Sequence, residues 1–402
     1  MRAGAWDMAR RYGRRLPHVG GDQGVATPLW YLARAVRILI VCDFLFKYGS
    51  QQARSLVHAG HDVAILCRSH ALEFGGLEHE REEVHDRLRG DGIRMLVVPG
   101  RVRSASALPA LLGIRRTLRR WRPHVVHVHE NHDPRLLALT AGYRTVLTVH
   151  DPLGHPGAPE LTRSENWAFR RWFHRADRFI VHGQALVPEL RPIVGPRRPI
   201  AVIHHGADAR AEPLPPPAEP VVLLFGRLER YKGVEVLVAA MQHVWERRPD
   251  ARLVVAGEGP AAQLVPDDPR TTLLARYISE AEVDGILERA RLVALPYTQA
   301  SQSGVGMLAI AAGVPVVVSD LGSLPELAYD DSFVAAAGDA RALADTILRH
   351  LDDGPDVRAR VLAHTRAEFS WEEAARRTTE LYRELVSATP SGAQEHDPAG
   401  RG

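Results

Sequence analysis

The sequence predicts an α/β protein made of two successive halves, each a parallel sheet covered by helices. Short apolar runs of strand length alternate with helix-length segments over most of the chain, as in sheets buried on both faces. The alternation is interrupted once, by AEPLPPPAEP at residues 211–220, and then resumes. A chain of 402 residues also exceeds what one core ordinarily fills. Two such halves leave a crevice between the carboxyl ends of their strands, where open α/β sheets hold ligands.

Residues 1–35 carry no readable period and are expected to form an extension. The first domain is expected over 36–208, with strands at 36–42, 61–67, 95–98, 125–129, 145–149, 179–182 and 199–203. A loop, DFLFKYGS, follows its first strand, and a helix over 51–59 follows the loop. The linker 209–220 leads to a second domain over 221–368, with strands at 221–225, 252–256, 291–295 and 314–319. A closing helix over 369–386 has Ser370 as N-cap, with Glu373 completing a capping box. The tail, 387–402, is small and polar and is expected to be disordered.

Composition narrows the function classes. Lys plus Arg (51) nearly cancels Asp plus Glu (48), which gives little support to a nucleic-acid binder. No apolar run approaches the roughly 20 residues of a membrane span. The chain start lacks the apolar stretch of a secretory signal, so a cytoplasmic location is expected, in solution or at the inner face of the cell membrane. Cys42 and Cys67 fall in strand-like runs without metal-ligand partners and read as buried free thiols. Arginines gather at positions 10, 11, 14 and 15, and again on a helix at Arg115, Arg116, Arg119, Arg120 and Arg122. The second group is either a solvated face or a surface for an anionic membrane or acceptor.

The segment LFGRLERYKGVEVLVAA carries the sharpest chemistry. Gly226 turns the backbone after a strand, and Arg227 and Lys232 project two cations near a helix start, which suits a diphosphate. VAGEGP repeats the strand-end pattern with Gly257 and Gly259 but lacks the dinucleotide fingerprint. Farther on, Ser303 is a natural N-cap, leaving Gly304 and Val305 to present free N–H groups, and Glu326 falls near a strand's carboxyl end. In the first half, His150 and Asp151 emerge directly beyond a strand. HVHENHD offers His127, His129, Glu130, His132 and Asp133, readable as crevice contacts, packing or, less favoured, a metal site. No serine-hydrolase elbow, phosphate loop or C-x-x-C is present.

In order and spacing, AGHDVAILC, RPHVVHVH, VIHHGAD, GRLERYKG, VAGEGP, GVPVVVSDLGSLPEL and FSWEEAA resemble the motifs of glycosyltransferase family 4, from about residue 36 to 385. The resemblance implies a GT-B fold, two Rossmann-like domains facing each other across a deep crevice. It implies transfer, with retention, of a hexose-type sugar from a nucleoside-diphosphate sugar to a hydroxyl acceptor in polysaccharide, glycolipid or glycoconjugate synthesis. Arg227 and Lys232 would bind the donor diphosphate, and His150 would lie near the transferred sugar and acceptor. Gly226, Gly257, Gln302, Ser303, Gly304, Val305 and Glu326 would complete the donor side. Gly49, Ser50 and Gln51 match the family's first glycine-containing loop, facing donor and acceptor, with Asp151 beside it. No resident cofactor or essential metal is implied. One departure stands out: the family's E-x(7)-E pair falls on Ala300 and Leu308, the first of which opens an ASQSGV segment like that of polysaccharide-assembly relatives. An inert nucleotide-sugar-binding scaffold and a sugar-nucleotide epimerase of the same fold are the alternatives.

Overall fold

The computed structural model describes residues 35–43, 45–69, 78–100, 107–152, 162–299 and 302–388. The expected extension before Ala35, with its arginines, the tail beyond Ala388, and Ala300 lie outside the described residues.

The first half contains strands β1 (Arg37–Val41), β2 (Asp62–Arg68), β3 (Arg94–Val98), β4 (Val125–His129), β5 (Thr145–Thr148), β6 (Arg178–Val181) and β7 (Ile200–Val202). Between them run helices α1 (Phe46–His58), α2 (Glu78–Gly90), α3 (Leu108–Trp121), α4 (Pro134–Leu139), α5 (Arg163–Arg175) and α6 (Leu186–Val194). The strands pair in the order β3-β2-β1-β4-β5-β6-β7, all parallel. The second half repeats the plan with β8 (Val221–Phe225), β9 (Arg252–Ala256), β10 (Thr271–Leu274), β11 (Leu292–Leu295), β12 (Val316–Ser319) and β13 (Val334–Ala335). Its helices are α7 (Val234–Arg247), α8 (Glu280–Arg289), α9 (Gly304–Ala311), α10 (Ala340–His350) and α11 (Pro355–Glu368). These strands are ordered β10-β9-β8-β11-β12-β13, again parallel.

The period-2 alternation of β1 explains the layering. Ile38 and Ile40 point into a cluster with Ala53 and Leu56 of α1, while Leu39 and Val41 meet Leu118, Trp172 and Leu190 on the other face. Each fully buried aliphatic of this kind contributes roughly 1.5–3 kcal/mol. Both cysteines are buried free thiols.

α12 (Trp371–Ser387) returns from the second half and lays Ala375, Tyr382 and Leu385 into the layer beneath β1. Ser370 caps it by accepting from the Glu373 N–H at 3.1 Å. The expected capping box is only half formed, because the Glu373 carboxylate binds Arg376 and Arg377 instead. The proline-rich linker is docked rather than free. Arg210 and Leu214 donate backbone N–H to Ala311 and Ala312, and the buried Arg358 guanidinium donates to the Leu214 and Ala290 carbonyls. The two chain crossings between halves run side by side, joined by the Ala207 N–H to the Phe369 carbonyl at 2.6 Å.

Strands β10 and β13 and helix α2 have no counterpart in the sequence reading. β10 is a half-exposed edge (TTLL), β13 has two residues, and α2 has only Val84 and Leu88 as apolar residues, so none shows a clear apolar period. α1 starts at Phe46, five residues before its expected start, so Gly49 and Ser50 are helical rather than loop residues, and Gln51 lies within the helix rather than at its start. The Ser50 hydroxyl donates to the Phe46 carbonyl at 2.6 Å. Gly49 is needed for packing: a Cβ there would fall 2.7 Å from Cys42 Sγ.

Candidate active site

In the second half, the turns after β8, β9 and β11 are pressed together at two glycines. Gly257 has φ 145°, and a Cβ on it would meet the Gly226 carbonyl oxygen at 1.8 Å. Gly233 has φ 70°, and a Cβ would meet the Pro296 carbonyl oxygen at the same distance. The second contact holds Lys232 over Tyr297. Its Nζ lies 4.0 Å from the ring centroid and donates to the Tyr297 hydroxyl at 2.7 Å. Burial, reinforced by the Arg227 charge, lowers the Lys232 ammonium to about 8. Arg227 is exposed beside Tyr231, and among the described residues neither cation has a carboxylate partner.

Tyr297 passes the chain on to Ser303, with the two hydroxyls 2.9 Å apart. Ser303 is buried and caps α9 by accepting from the Gly306 N–H at 3.1 Å. Gly304 at the helix start is exposed, and Gln302 and Val305 flank it, half-buried. Lys232 and the α9 N-terminus are therefore linked through two side chains. Such a pairing of mobile ammonium and free helix N–H groups favours an anion. Glu326 stands in a short turn after β12 and reaches across to the first half. Its carboxylate accepts from the Gln184 N–H at 2.8 Å and lies 3.0 Å from His204 Nε2.

In the first half, Tyr48 of α1 is the hub of a ring cluster. His129, His150, His182, His205 and Trp371 surround it, with centroids 4.2 to 5.3 Å away. His129 and His150 approach at 3.3 Å, and the other His129 nitrogen meets Gln52 at 2.8 Å. Glu130 fixes the turn after β5 by accepting from the backbone N–H of both His150 (2.6 Å) and Asp151 (3.1 Å). Burial holds these imidazoles neutral. It lowers His127 and His182 to about 3 and His205 to about 4, and drives His129 and His150 well below the ordinary value.

HVHENHD is spent on structure rather than metal. His127 bonds Thr148 at 2.6 Å and the Tyr382 hydroxyl of α12, and its ring stacks on His129 at 4.6 Å. His132 packs on Phe169, and Asp133 caps α4 while pairing with Arg135. Among the described residues no group of three His, Cys, Asp or Glu side chains could hold a metal ion.

The structure thus brings Lys232, Ser303 and the start of α9 into one unit, and His150 and Asp151 into another. Gln51 is placed apart, donating to Asp208 at 3.1 Å. Tyr48, Tyr297, His182, His205 and Trp371 escaped sequence reasoning. His182 follows a strand as His150 does, and that was the available signal. Leu308, at the second family glutamate position, is 49% exposed on α9.

The model of the Glycosyltransferase Family 4 matches residues 48–211, and that of glycosyl transferases group 1 matches 219–353. The chain is 27% identical over 389 residues to a glycogen synthase of Mycobacterium tuberculosis, covering 85% of this chain and 91% of that protein. It is 31% identical over 184 residues to a D-inositol 3-phosphate glycosyltransferase of Corynebacterium aurimucosum, covering 42% of this chain and 44% of the other. In fold it is similar to a glycosyltransferase of Rickettsia africae, with TM-score 0.66 at 15% identity, over 89% of this chain and all of that one. The two family models match adjacent stretches on two parallel sheets of matching order, and together they support a nucleotide-sugar-dependent glycosyltransferase of the family 4 superfamily; the fold is GT-B.

Proposed function

We propose that the chain is a retaining glycosyltransferase that moves a hexose-type sugar from a nucleoside-diphosphate sugar to a hydroxyl acceptor in polysaccharide, glycolipid or glycoconjugate synthesis. The observation that carries this reading is the pair of uncompensated cations, Arg227 and Lys232, with Lys232 joined through Tyr297 to Ser303 at the start of α9. The acceptor oxygen attacks the anomeric carbon on the face from which the diphosphate departs. The carbon–oxygen bond to the diphosphate breaks, and the acceptor proton passes to the leaving phosphate oxygen. Arg227, Lys232 and the N–H groups of Gly304 and Val305 stabilise the charge that develops there. Gly226 and Gly257 let the backbone turns approach the phosphates. His150, neutral and held by Glu130, lies beside the sugar with Asp151. Gln302, two residues beyond the position of the family's first glutamate, supplies a neutral contact. These steps need no enzyme nucleophile and no metal.

The test is acceptor-free hydrolysis of a panel of sugar nucleotides. The wild type is expected to release one nucleoside diphosphate slowly, and Lys232→Ala to lose roughly 100-fold or more of that rate. Binding of no panel member would contradict the proposal in favour of an inert scaffold.

The acceptor is read as a carbohydrate, a lipid-linked molecule or a small molecule, and a lipid-linked one would be met through α3. α3 exposes Leu108 and Leu112 beside Arg115, Arg116, Arg119 and Arg120, a surface that suits peripheral contact with anionic lipid. No described helix is long and apolar enough to cross a membrane. Co-sedimentation with anionic vesicles should fall when the four arginines are replaced, and unchanged binding would contradict this part of the reading.

A further inference from the structure

Between the halves lies a cavity of about 90 Å³, lined by His182 and His204 of the first and by Ser303, Gly304, Ser323 and Glu326 of the second. Three buried polar atoms on its lining residues have no hydrogen-bond partner: His182 Nε2, His204 Nδ1 and Ser323 Oγ. Buried polar groups are ordinarily paired, so three together mark a place where something else supplies the partners.

Their chemistry says what that partner is. His182 Nδ1 lies 2.7 Å from the Ile203 carbonyl oxygen, which only accepts, so Nδ1 carries the proton. The ring is 4% exposed and burial lowers it to about 3, so it is neutral and Nε2 presents a bare lone pair. His204 directs its Nε2 to Glu326 at 3.0 Å, leaving Nδ1 without a partner. Ser323, also 4% exposed, offers a hydroxyl that both donates and accepts. A fully ionised anion has no proton to give His182 Nε2. A cluster of sugar hydroxyls has, and it can also accept from Ser323 and from the Gly304 N–H. At roughly 10–15 Å³ per water-sized group the cavity holds about six to nine such groups, room for much of a sugar ring and not for a nucleotide.

The place is also apt. The His182 ring lies 4.7 Å from that of His150, and Ser303 shares the Tyr297 hydroxyl with Lys232. A sugar edge here lies between the imidazole read as facing the transferred sugar and the cation read as holding the diphosphate.

We infer that this cavity receives hydroxyl groups of the donor's sugar, with His182 and Ser323 as the side chains that bind them. The inference rests on the reading of the chain as a glycosyltransferase using a nucleoside-diphosphate sugar. It adds two specificity-determining residues to that site, one from each half.

The experiment is calorimetric titration of wild type, Ser323→Ala and His182→Phe with UDP-glucose and GDP-mannose, each against its nucleoside diphosphate alone. The wild type should bind one sugar nucleotide more tightly than the matching diphosphate. Each variant should lose that advantage by roughly tenfold, the effect of one buried hydrogen bond, while binding the diphosphate as the wild type does. Unchanged diphosphate binding shows that the variant is folded and that the parent reading survives. Variants that keep the full preference for the sugar nucleotide overturn the inference. If transfer to an acceptor is then slowed, the hydroxyls belong to the acceptor; if not, the cavity holds only water. An equal loss for sugar nucleotide and diphosphate also overturns it. A wild type that binds neither ligand contradicts the parent reading itself.

Discussion

The two halves share a strand order but differ in what their strand ends carry. The first gathers imidazoles: His129, His150, His182 and His205 ring Tyr48, all held neutral by burial. The second carries Arg227, exposed, and Lys232, lowered to about 8, with no carboxylate partner among the described residues. Neutral rings suit a sugar and an incoming hydroxyl, while bare cations suit a diphosphate. On the proposed function, a single fold repeated in one chain is fitted for the two ends of one donor molecule.

That comparison is broken most directly by keeping the halves apart. Gly183 follows β6 at the interface, and a Cβ on it would lie 1.8 Å from Ser323 Oγ and 2.9 Å from Glu326 Oε1. Gly183→Ala should therefore hold the crevice open and lower turnover roughly 10- to 100-fold, while each half keeps its fold. Diphosphate affinity should change little, since the cations lie on one half alone. Turnover equal to wild type would show that the approach at Gly183 is not required.

A smaller effect sharpens the comparison by pH. The buried histidines of the first half have native pKa values depressed below the unfolded value. Their stabilisation is full above about pH 6.5 and is lost as pH falls toward 3 to 4, because the unfolded chain then binds more protons. Each fully buried ring forfeits on the order of 1–2 kcal/mol by pH 5. The melting temperature should drop by several degrees between pH 7 and pH 5, with near-ultraviolet signals of Tyr48 and Trp371 lost first. A melting temperature independent of pH over that range would contradict the assigned neutrality.

Sequence reasoning reached the architecture because strands buried on both faces leave runs such as ILIV and VVLLF that nothing else explains. It reached Lys232 and Ser303 because strand-end glycines and an N-cap are local signals. It misjudged Gly49 and Ser50 as loop residues: Gly49 lets α1 pack closely on Cys42, and the Ser50 hydroxyl donates back to the Phe46 carbonyl within α1. It did not reach the convergence of His182, His205 and Tyr48. They come from the ends of β6 and β7 and from α1, and no spacing along one segment records which strand ends meet. The part played by Glu326 was hidden for the same reason. Its partners, Gln184 and His204, sit in the other half of the molecule.

The central claim is that Lys232 is the mobile cation for the donor diphosphate, and titration of the nucleoside diphosphate at pH 7 and pH 9 tests it most directly. With the free ammonium lowered to about 8, the wild type should bind at least tenfold more tightly at pH 7 than Lys232→Ala does. At pH 9, where most free Lys232 is neutral, the two proteins should approach each other. Equal affinities at pH 7, or a difference that persists unchanged at pH 9, would contradict the account.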